Sequence, residues 1–247
     1  MHATTTTNVL HLLLRKIETH AALDEEDRAA ILSLPHKIRS LEAHSYAARE
    51  GDAPQVCAIL IKGYAYRQKL TGDGARQIVA LHIPGDPLDL QNLFLDTADH
   101  NVQALTRAGL AFIPREAIAE LVRERPGVAR AVFVAILVEA SIFREWVVNV
   151  GRRNARTRLA HLLCEFAARL EAQGVAGEYG YELPMSQEQL ADALGLTPVH
   201  VNRTLKSLEA NGLIQRDKRF VRFPDWRRMR DFADFTDRYL HLAHQES

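Results

Sequence analysis

One short stretch of the sequence combines side chains that can bond to the edges of bases with a regular helical spacing. The stretch runs TPVHVNRTLKSLEANG, and four of its residues stand three, one and three positions apart: Val199, Asn202, Arg203 and Lys206. At 3.6 residues per turn these positions share one face of a helix. Arginine can donate two hydrogen bonds to guanine, asparagine can pair similarly with adenine, and valine can contact the methyl group of thymine. The spacing therefore predicts a helix face that can read bases.

Signals for helix ends place this face on the second of two short helices. Ser186, with Gln189 three residues later, forms a capping box, so a helix starts there. Gly195 ends that helix, Thr197 caps the next one and Pro198 fits its first position. Two helices joined by a tight turn that contains glycine are typical of a helix-turn-helix, whose second helix lies in the major groove of DNA.

The second helix is predicted over residues 198–211, ending at Gly212, and its back is apolar. Apolar residues at helical spacing hold the two helices together, with Val201, Leu205 and Leu208 facing Leu190 and Leu194. His200, Thr204 and Lys206 are predicted nearer the groove walls, where imidazole, hydroxyl and ammonium groups can bond to phosphate.

Positive charge is concentrated in the same part of the chain, although the net charge of the whole protein is zero. Residues 197–230 carry nine arginines and lysines against three acidic residues, as expected for a surface that faces a phosphate backbone. The segments LIQRD and KRFVRF predict a basic two-stranded wing with a turn near Asp217 and Lys218, which lies along the backbone together with Arg219. A plain helical hairpin with a solvated polar face accounts for the caps but not for this wing.

The N-terminal half predicts antiparallel β structure from about residue 34 to 113. QVCAILIKGYAYRQKL and ARQIVALHI are interpreted as two strands joined by the turn TGDG, whose glycines can adopt a positive φ. Helical patterns flank this region in HLLLRKIE, DEEDRAAILSL and REAIAELVRER. The pattern favours a β-roll or barrel with short helices packed on it.

A long, mostly apolar helix is predicted to follow Pro126 and Gly127 and to end near residue 150. Its apolar residues alternate spacings of four and three, which is a heptad seam. The seam comprises Ala129, Phe133, Ile136, Ala140, Phe143, Val147 and Val150. The helix can be the core of a monomer, but a second apolar stripe lies beside the seam and the small β region can cover only one side. We therefore expect a dimer in which the seam packs against its symmetry mate.

Composition and the terminus limit the class of protein. The chain has 247 residues, of which 47% are hydrophobic and 25% charged, as in a folded protein with a sizeable core. The start, MHATTTTNVLHLLLRK, lacks the basic residues that precede the apolar run of a secretory signal. The longest apolar run, residues 131–138, is shorter than the roughly eighteen residues of a membrane span. We therefore expect a cytoplasmic protein without membrane contact.

Metal binding and catalysis find no support in the spacing of reactive residues. Cys57 and Cys164 are too far apart for a CxxC pair and are interpreted as buried apolar residues, although whether either senses redox state stays open. His161 lies one turn from Cys164, but no second pair with ligand spacing accompanies it, so no metal site is predicted. His82 and His100 flank a possible effector pocket. The GxSxG, P-loop and HExxH motifs are missing, and we predict that the chain is not an enzyme.

Taken in order, these elements resemble the Crp/Fnr family of bacterial transcription regulators over nearly the whole chain. The marks are Gly51-Asp52, ILIKGYA, Pro84-Gly85-Asp86 and LADALGLTPVHVNRTLKSLEANGLI, with Arg203 at the guanine-reading position of the family. The resemblance implies an α+β fold with an N-terminal antiparallel β-roll of the cyclic-nucleotide-binding type, a long dimerisation helix and a C-terminal winged helix-turn-helix. The expected limits are 1–125 for the β-roll, 126–153 for the helix and hinge, and 154–247 for the DNA-binding domain.

Two departures from the family pattern bear on ligand and operator. Asp89-Leu90 and His100-Asn101 stand where members that bind cAMP have Gly-Glu and Arg-Ser or Arg-Thr, so no arginine faces a cyclic phosphate. We predict that cAMP is not the effector. The possible pocket comprises Asp86, Asp89, Leu90, His100 and Asn101, and its ligand or cofactor is unknown. Many relatives carry a glutamate in place of Val199, so the operator of the best-known relatives is not expected to apply.

Three classes of function stay open at this point. The leading one is a homodimeric regulator that binds an inverted repeat in double-stranded DNA and contacts RNA polymerase. Its predicted DNA contacts are Thr197, Pro198, Val199, His200, Asn202, Arg203, Lys206, Lys218 and Arg219. The others are a nucleotide-responsive signalling subunit that acts on a protein partner, and an enzyme with an unrecognised site. The sequence leaves open the effector, the operator, the regulated genes and whether transcription is raised or lowered.

Overall fold

The computed structural model describes residues 8–175 and 180–242. The described residues form two compact units. Unit 1 contains the residues up to Ala65 together with His82–Leu137. Unit 2 contains Tyr66–Leu81 together with the described residues from Val138 onward.

The strands follow a simple order along the chain. They are β1 (Lys37–Leu41), β2 (Tyr46–Ala48), β3 (Val56–Lys62), β4 (Ala65–Leu70), β5 (Arg76–His82), β6 (Asn101–Ala104), β7 (Ala108–Pro114), β8 (Gly180–Glu182), β9 (Gln215–Asp217) and β10 (Phe220–Arg222). The helices are α1 (His11–Glu18), α2 (Glu25–Leu32), α3 (Arg115–Glu124), α4 (Pro126–Arg152), α5 (Ala155–Ala172), α6 (Gln187–Leu194), α7 (Pro198–Ala210) and α8 (Trp226–Phe232). The predicted α+β class and its order of elements are confirmed.

Unit 1 is built on antiparallel strands covered by helices. Strand β7 pairs with β1 on one side and with β3 on the other, and β2 pairs with β6. Side chains of α1, α2, α3 and the start of α4 pack on one face of β3 and β7, where Leu10, Ile31, Ile59, Ile113 and Val132 are buried together. Burying apolar residues from both layers is what holds such a unit together.

The strand predicted from Gln55 to Leu70 is wrong in one respect, because it is two strands. Gly63 separates β3 from β4 with a φ of +79°, a conformation that costs little only for glycine. A Cβ atom at this position would lie 2.3 Å from the carbonyl oxygen of Arg107. Gly63 therefore ends β3, and the chain passes from unit 1 to unit 2 directly after it.

Helix α4 is 27 residues long and apolar on most sides. An 18-residue window has a mean hydropathy of 1.8, and only 28% of it is buried. By length and composition alone this helix can cross a membrane, which the shorter apolar run considered above did not indicate. One such helix is weak support for a membrane span, since the interface helix of a soluble protein has the same composition.

Unit 2 contains four helices besides the end of α4, the β4–β5 hairpin and a small sheet. The predicted two-stranded wing of β9 and β10 is confirmed, and β8 adds a third strand on the other edge of β10. Helix α5 runs through the centre of the unit and packs against α6, α7 and α8. Ten of its residues are buried, so it is the core around which the two C-terminal motifs assemble.

Both cysteines are free and fully buried, as predicted. Burial raises the pKa of the Cys57 thiol to about 12, with the negative charge of Asp89 adding to the effect. Burial also raises the pKa of Cys164. A thiol reacts as the thiolate, so neither side chain is suited to redox sensing in this conformation.

Candidate DNA-binding surface

The two predicted helices and their turn form as the sequence indicates. Ser186 Oγ accepts from Gln189 N at 3.2 Å, and Gln189 Oε1 accepts from Ser186 N at 2.8 Å, which completes the capping box. Gly195 adopts the left-handed conformation with φ +61° and ends α6. Thr197 Oγ1 accepts from His200 N at 3.2 Å and begins α7. The prediction of a helix-turn-helix is confirmed.

The apolar back of α7 fastens it to α6. Val201, Leu205 and Leu208 are buried, as are Leu190 and Leu194 on the first helix. The two helices are in direct contact, and α7 also packs on α5. This packing leaves the opposite face of α7 to solvent, because helical side chains three or four positions apart share one side.

The predicted reading face is the exposed face of α7. Val199 is 80% exposed, Arg203 and Lys206 are exposed, and Asn202 is half-buried. In the described part of the chain, neither Arg203 nor Lys206 has a carboxylate within ion-pair distance. Their charges are therefore free to bond to a ligand from solution.

One residue of this surface was missed by the sequence prediction. Gln187, the first residue of α6, is exposed and lines a shallow groove of about 460 Å³ together with α7. The groove residues on α7 are Pro198, Val199, Asn202, Arg203 and Lys206. The cap residue Ser186 was recognised in the sequence, and its position one residue before Gln187 was the available signal.

Thr204 does not have the role predicted for it. Its side chain is only 3% exposed, and its hydroxyl donates to the carbonyl oxygen of His200 at 2.8 Å. A threonine hydroxyl in a helix often bonds back to the carbonyl one turn earlier, which satisfies it without a partner from outside. The predicted phosphate contact by Thr204 is therefore wrong, whereas His200 is half-buried at the edge of the surface.

The wing presents a second basic surface. Lys218 occupies the turn between β9 and β10 with φ +54°, and both it and Arg219 are exposed. Not all basic residues of this region are available, since Arg216 is held by Glu209 at 2.7 Å and Arg228 donates to the carbonyl oxygen of Asn211 at 3.0 Å. The sequence count of nine basic residues thus separates into exposed and internally bonded groups.

The residues predicted to surround an effector lie in the interior of unit 1. They are Asp86, Asp89, Leu90, His100 and Asn101, and all five are buried. Leu90 packs with the apolar core beneath α1 and α3. It precedes the short 3₁₀ helix that ends at Leu93.

The two aspartates of this set bond to groups of the protein itself. Asp86 accepts from Ile83 N at 2.9 Å, and its other oxygen lies 3.0 Å from the ammonium group of Lys16. Asp89 accepts from Ala58 N at 3.3 Å. Each carboxylate therefore stabilises the loop between β5 and β6.

His100 and Asn101 are also bonded internally. Nδ1 of His100 lies 2.6 Å from Asp99 Oδ1, and its Nε2 lies 3.4 Å from the side-chain nitrogen of Gln91. Asn101 accepts from Glu50 N at 3.1 Å. In the described residues no group of three or more histidines, cysteines or carboxylates is arranged to hold a metal ion.

The predicted seam on α4 is divided between covered and exposed residues. Ile136 packs against the core of unit 1, and the guanidinium of Arg67 lies 5.6 Å from the centre of the Phe143 ring. Ala140 is half-buried, whereas Phe133 and Val147 are exposed. Leu137 and Val148, which were not on the predicted seam, are exposed as well. The role of the seam in dimerisation stays a prediction.

A unit of antiparallel strands, a long apolar helix and a winged helix-turn-helix define a class of two-domain, DNA-binding transcription regulators. Two family models match the chain at the corresponding places. The cyclic nucleotide-binding domain matches residues 38–125, and the Crp-like helix-turn-helix domain matches residues 157–232.

Curated relatives agree with this class. The transcriptional activator protein FnrL of Cereibacter sphaeroides is 30% identical over 217 residues, which cover 86% of each chain. The nitrogen fixation regulation protein FixK of Bradyrhizobium diazoefficiens is 31% identical, with 80% of this chain and 83% of FixK covered. Among solved structures, FixK2 from Bradyrhizobium japonicum aligns with a TM-score of 0.76 at 24% identity, over 82% of this chain and all of FixK2.

The chain belongs to the Crp/Fnr family of transcription regulators. It therefore carries a DNA-binding helix-turn-helix and a cyclic nucleotide-binding-like domain, as predicted. The family is not enzymatic, and this membership confirms the prediction that the chain is not an enzyme.

Proposed function

We propose that the protein acts as a homodimer that recognises an inverted repeat through α7 and thereby regulates transcription. The observation that carries the proposal is the exposed face of Val199, Asn202, Arg203 and Lys206 on the second helix of a helix-turn-helix. Arg203 is suited to guanine and Asn202 to adenine, with Val199 against a thymine methyl group. Lys206, Thr197, Pro198 and His200 lie nearer the groove walls, where phosphate contacts fix the position of the helix.

The wing and the first helix supply further contacts in this proposal. Lys218 and Arg219 follow the phosphate backbone beside the groove, and Gln187 approaches it from the N-terminus of α6. The first helix of such motifs crosses the backbone while the second enters the groove. These contacts add affinity that depends on salt but not on sequence.

The dimer is proposed from the exposed apolar side chains of α4. Phe133, Leu137, Val147 and Val148 are exposed, and all lie on one broad side of the helix. Packing this side against the same side of a second copy removes apolar surface from water. A two-fold dimer spaces its recognition helices by one turn of DNA, about 34 Å, which matches an inverted repeat.

The effector is proposed not to be cAMP. A cyclic phosphate needs a cationic or hydrogen-bonding partner in a buried site, and His100 and Asn101 occupy the position where cAMP-binding members have arginine. Both side chains are buried and bonded within the protein. Calorimetry should detect no cAMP binding at micromolar concentration, and a micromolar dissociation constant would contradict the proposal.

Location and partners follow from the same reading. Relatives such as FnrL are named transcriptional activators, so we place this protein in the bacterial cytoplasm and propose contact with RNA polymerase at the promoter. The long helix α4 is assigned to the dimer and not to a membrane.

The central experiment is selection of duplexes from a random-sequence pool by the purified protein. We expect an enriched inverted repeat, bound by two chains per duplex in sedimentation equilibrium. Enrichment of a direct repeat, or one chain per duplex, would contradict the two-fold arrangement. Failure to enrich any sequence would favour instead a signalling subunit that acts on a protein partner.

A further inference from the structure

The hairpin of β4 and β5 lies far from the DNA-binding domain in sequence but belongs to the same compact unit. Residues 66–81 were expected to form part of the β-roll, within the limits 1–125. In the structure they group with the residues from Val138 onward, which include the helix-turn-helix. The hairpin is therefore a part of the surroundings of α6 and α7 that the sequence division did not assign to them.

Arg76 is the strongest link between the hairpin and the DNA-binding motif. Its Nε and Nη2 atoms lie 2.7 and 2.6 Å from one carboxylate oxygen of Asp192 on α6. The side chains of Arg76 and Asp192 are 27% and 22% exposed. Glu188, one turn earlier on the same helix, lies 3.9 Å from Arg76 Nη2. A single arginine thus holds two acidic side chains of α6.

A second contact joins the hairpin to the end of α6. Gln77 Nε2 donates to the carbonyl oxygen of Ala193 at 3.2 Å, and from α5 Arg158 donates to the carbonyl oxygen of Leu194 at 2.6 Å. The last carbonyls of a helix have no partner within it, so such contacts satisfy them. The end of α6 is therefore held from two sides, by β5 and by α5.

The hairpin is itself anchored to the other helices of unit 2. Arg67 lies 2.6 Å from Glu139 on α4, and its side chain is only 4% exposed. Arg169 of α5 donates to the carbonyl oxygen of Leu81 at 2.8 Å. Since both ends of the hairpin are fixed in this way, Arg76 projects from an ordered support and not from a free loop.

The position of α6 determines the position of α7. Only residues 195–197 separate the two helices, and buried leucines of both pack together. A displacement of α6 must therefore move the exposed face of α7 relative to the rest of the unit. A displacement of about 1 Å is enough to weaken groups that require a defined geometry.

We propose that Arg76 is a positioning residue for DNA recognition, which acts by holding α6 through Asp192 and Glu188. This inference rests on the proposed function, because it requires that α7 read DNA. Arg76 does not touch DNA in this arrangement. It sets the angle at which Arg203 and Asn202 enter the groove, and it makes that angle depend on the β4–β5 hairpin.

The test is a charge exchange in the full-length protein. The variants are Arg76→Asp, Asp192→Arg and the double variant with both changes, and Arg107→Asp is the matched control. Arg107 is an exposed arginine of unit 1 that pairs with Glu42 at 3.4 Å. Fluorescence anisotropy would measure binding to the duplex selected by the wild type and to a scrambled duplex of equal length.

Positioning and simple charge make opposite forecasts for one variant. If only net charge matters, Asp192→Arg adds positive charge and should bind all DNA more tightly. If Arg76 positions α6, both single variants should lose about tenfold in affinity for the selected duplex. The double variant should return to within about threefold of the wild type, since the pair is restored with its charges exchanged. Arg107→Asp should change the affinity less than about twofold.

Thermal unfolding and sedimentation of each variant separate loss of position from loss of fold. Where Arg76→Asp does not fold, Arg76→Gln takes its place, because it removes the ion pair without adding a like charge. Unchanged affinity of the folded single variants, tighter binding by Asp192→Arg, or no recovery in the double variant would each overturn the inference. A wild type that selects no duplex would refute the proposed function itself, which is a separate and recognisable result.

Discussion

The face of α7 and the loop around Asp89 and His100 contain similar polar residues in opposite environments. Arg203 and Lys206 are exposed and have no carboxylate partner among the described residues. Asp89 and His100 are about 95% buried and bonded to neighbouring protein groups. A polar group that is already bonded gains little from a ligand, whereas an exposed one can exchange water for a new partner. Residue type alone therefore did not distinguish a recognition surface from a structural loop.

The comparison implies that the two sets respond differently to substitution. Changes on α7 should alter DNA binding and leave stability almost unchanged, since they remove no buried contact. Changes in the loop should lower stability and leave the DNA preference of the folded protein unaltered. The dimer helix provides a third case, in which a change far from DNA alters binding through assembly.

The largest effect is expected from the double variant Leu137→Glu/Val147→Glu. Leu137 is 66% and Val147 73% exposed, so the change should not disturb the fold of one chain but should place charges in the dimer interface. Loss of the second subunit should weaken operator binding by roughly 10² to 10⁴-fold. Sedimentation velocity should show monomer.

A matched change separates this effect from misfolding. Ile136 packs in the core of unit 1, so Ile136→Glu should lower the free energy of unfolding as well as affinity. If the wild type sediments as a monomer at micromolar concentration, or binds only in the presence of lipid vesicles, the assignment of α4 to a dimer is wrong.

A smaller effect is expected for Arg203→Ala. Loss of a bidentate contact with guanine should cost about 1 to 3 kcal/mol per half-site on the selected duplex and relax the preference at one base pair. The thermal midpoint should stay within about 1 °C, because the side chain is exposed and makes no buried contact. Binding titrations on selected and scrambled duplexes measure both quantities.

Lys206→Ala is the control for Arg203→Ala, since both residues lie on one face of α7. A lysine that contacts phosphate should lose affinity equally on both duplexes, and the salt dependence should become shallower by about one unit per contact. Equal losses on both duplexes for Arg203→Ala would show that Arg203 contacts the backbone only.

The next effect concerns stability and the buried loop. Asp89→Ala leaves the buried N–H group of Ala58 without its acceptor, which should lower the free energy of unfolding by about 1 to 3 kcal/mol. The DNA preference of the folded fraction should not change. Urea unfolding and anisotropy measure the two, and Asp89→Asn, which keeps an acceptor oxygen, should retain most of the stability. A strong loss of operator preference without loss of stability would instead favour a regulatory role.

The smallest effect is a pH dependence from His161, another buried polar residue. Its Nδ1 lies 3.2 Å from the carbonyl oxygen of Ala233 and its Nε2 3.1 Å from the Tyr239 hydroxyl. Burial lowers the pKa of His161 below its usual 6.5, with the charge of Arg153 adding to it, although the carboxylates of Glu165 and Glu145 oppose the shift.

The sign of the pH dependence follows from this lowered pKa. The unfolded chain binds a proton at His161 more readily than the folded chain, so stability is retained above pH 6.5 and lost as the pH falls toward the folded pKa. Chemical unfolding between pH 7.5 and about 5 should show this loss, and it should shrink in His161→Gln but not in His11→Gln, which changes an exposed histidine. An identical slope in all three proteins would assign the dependence to other groups.

The helix boundaries of the DNA-binding motif were predictable because their causes are local. A cap joins residues two or three positions apart, as in Ser186 with Gln189 and Thr197 with His200, and Gly195 ends α6 by its own backbone conformation. The exposed face of α7 followed from helical periodicity. Each of these signals is contained within about one turn of helix, so the sequence alone expressed them.

Other features depended on residues that are distant in sequence. The break at Gly63 depends on the approach of Arg107, and the burial of Asp89 depends on Ala58, 31 residues away. Thr204 had the right chemistry for phosphate, but its carbonyl partner and its burial against the core removed it from the surface. Such outcomes require the packed arrangement, which composition and spacing do not describe.

By itself the sequence determined the order of elements, the family, the caps and the side chains that face outward from α7, since these are set by neighbours a few positions apart. Only the tertiary structure decided that the polar residues near Asp89 are internal, that Ile136 faces the core, and that Arg76 reaches Asp192 across 116 residues. The physical reason is that burial and ion pairing depend on which surfaces meet, and a chain brings distant surfaces together only when it folds.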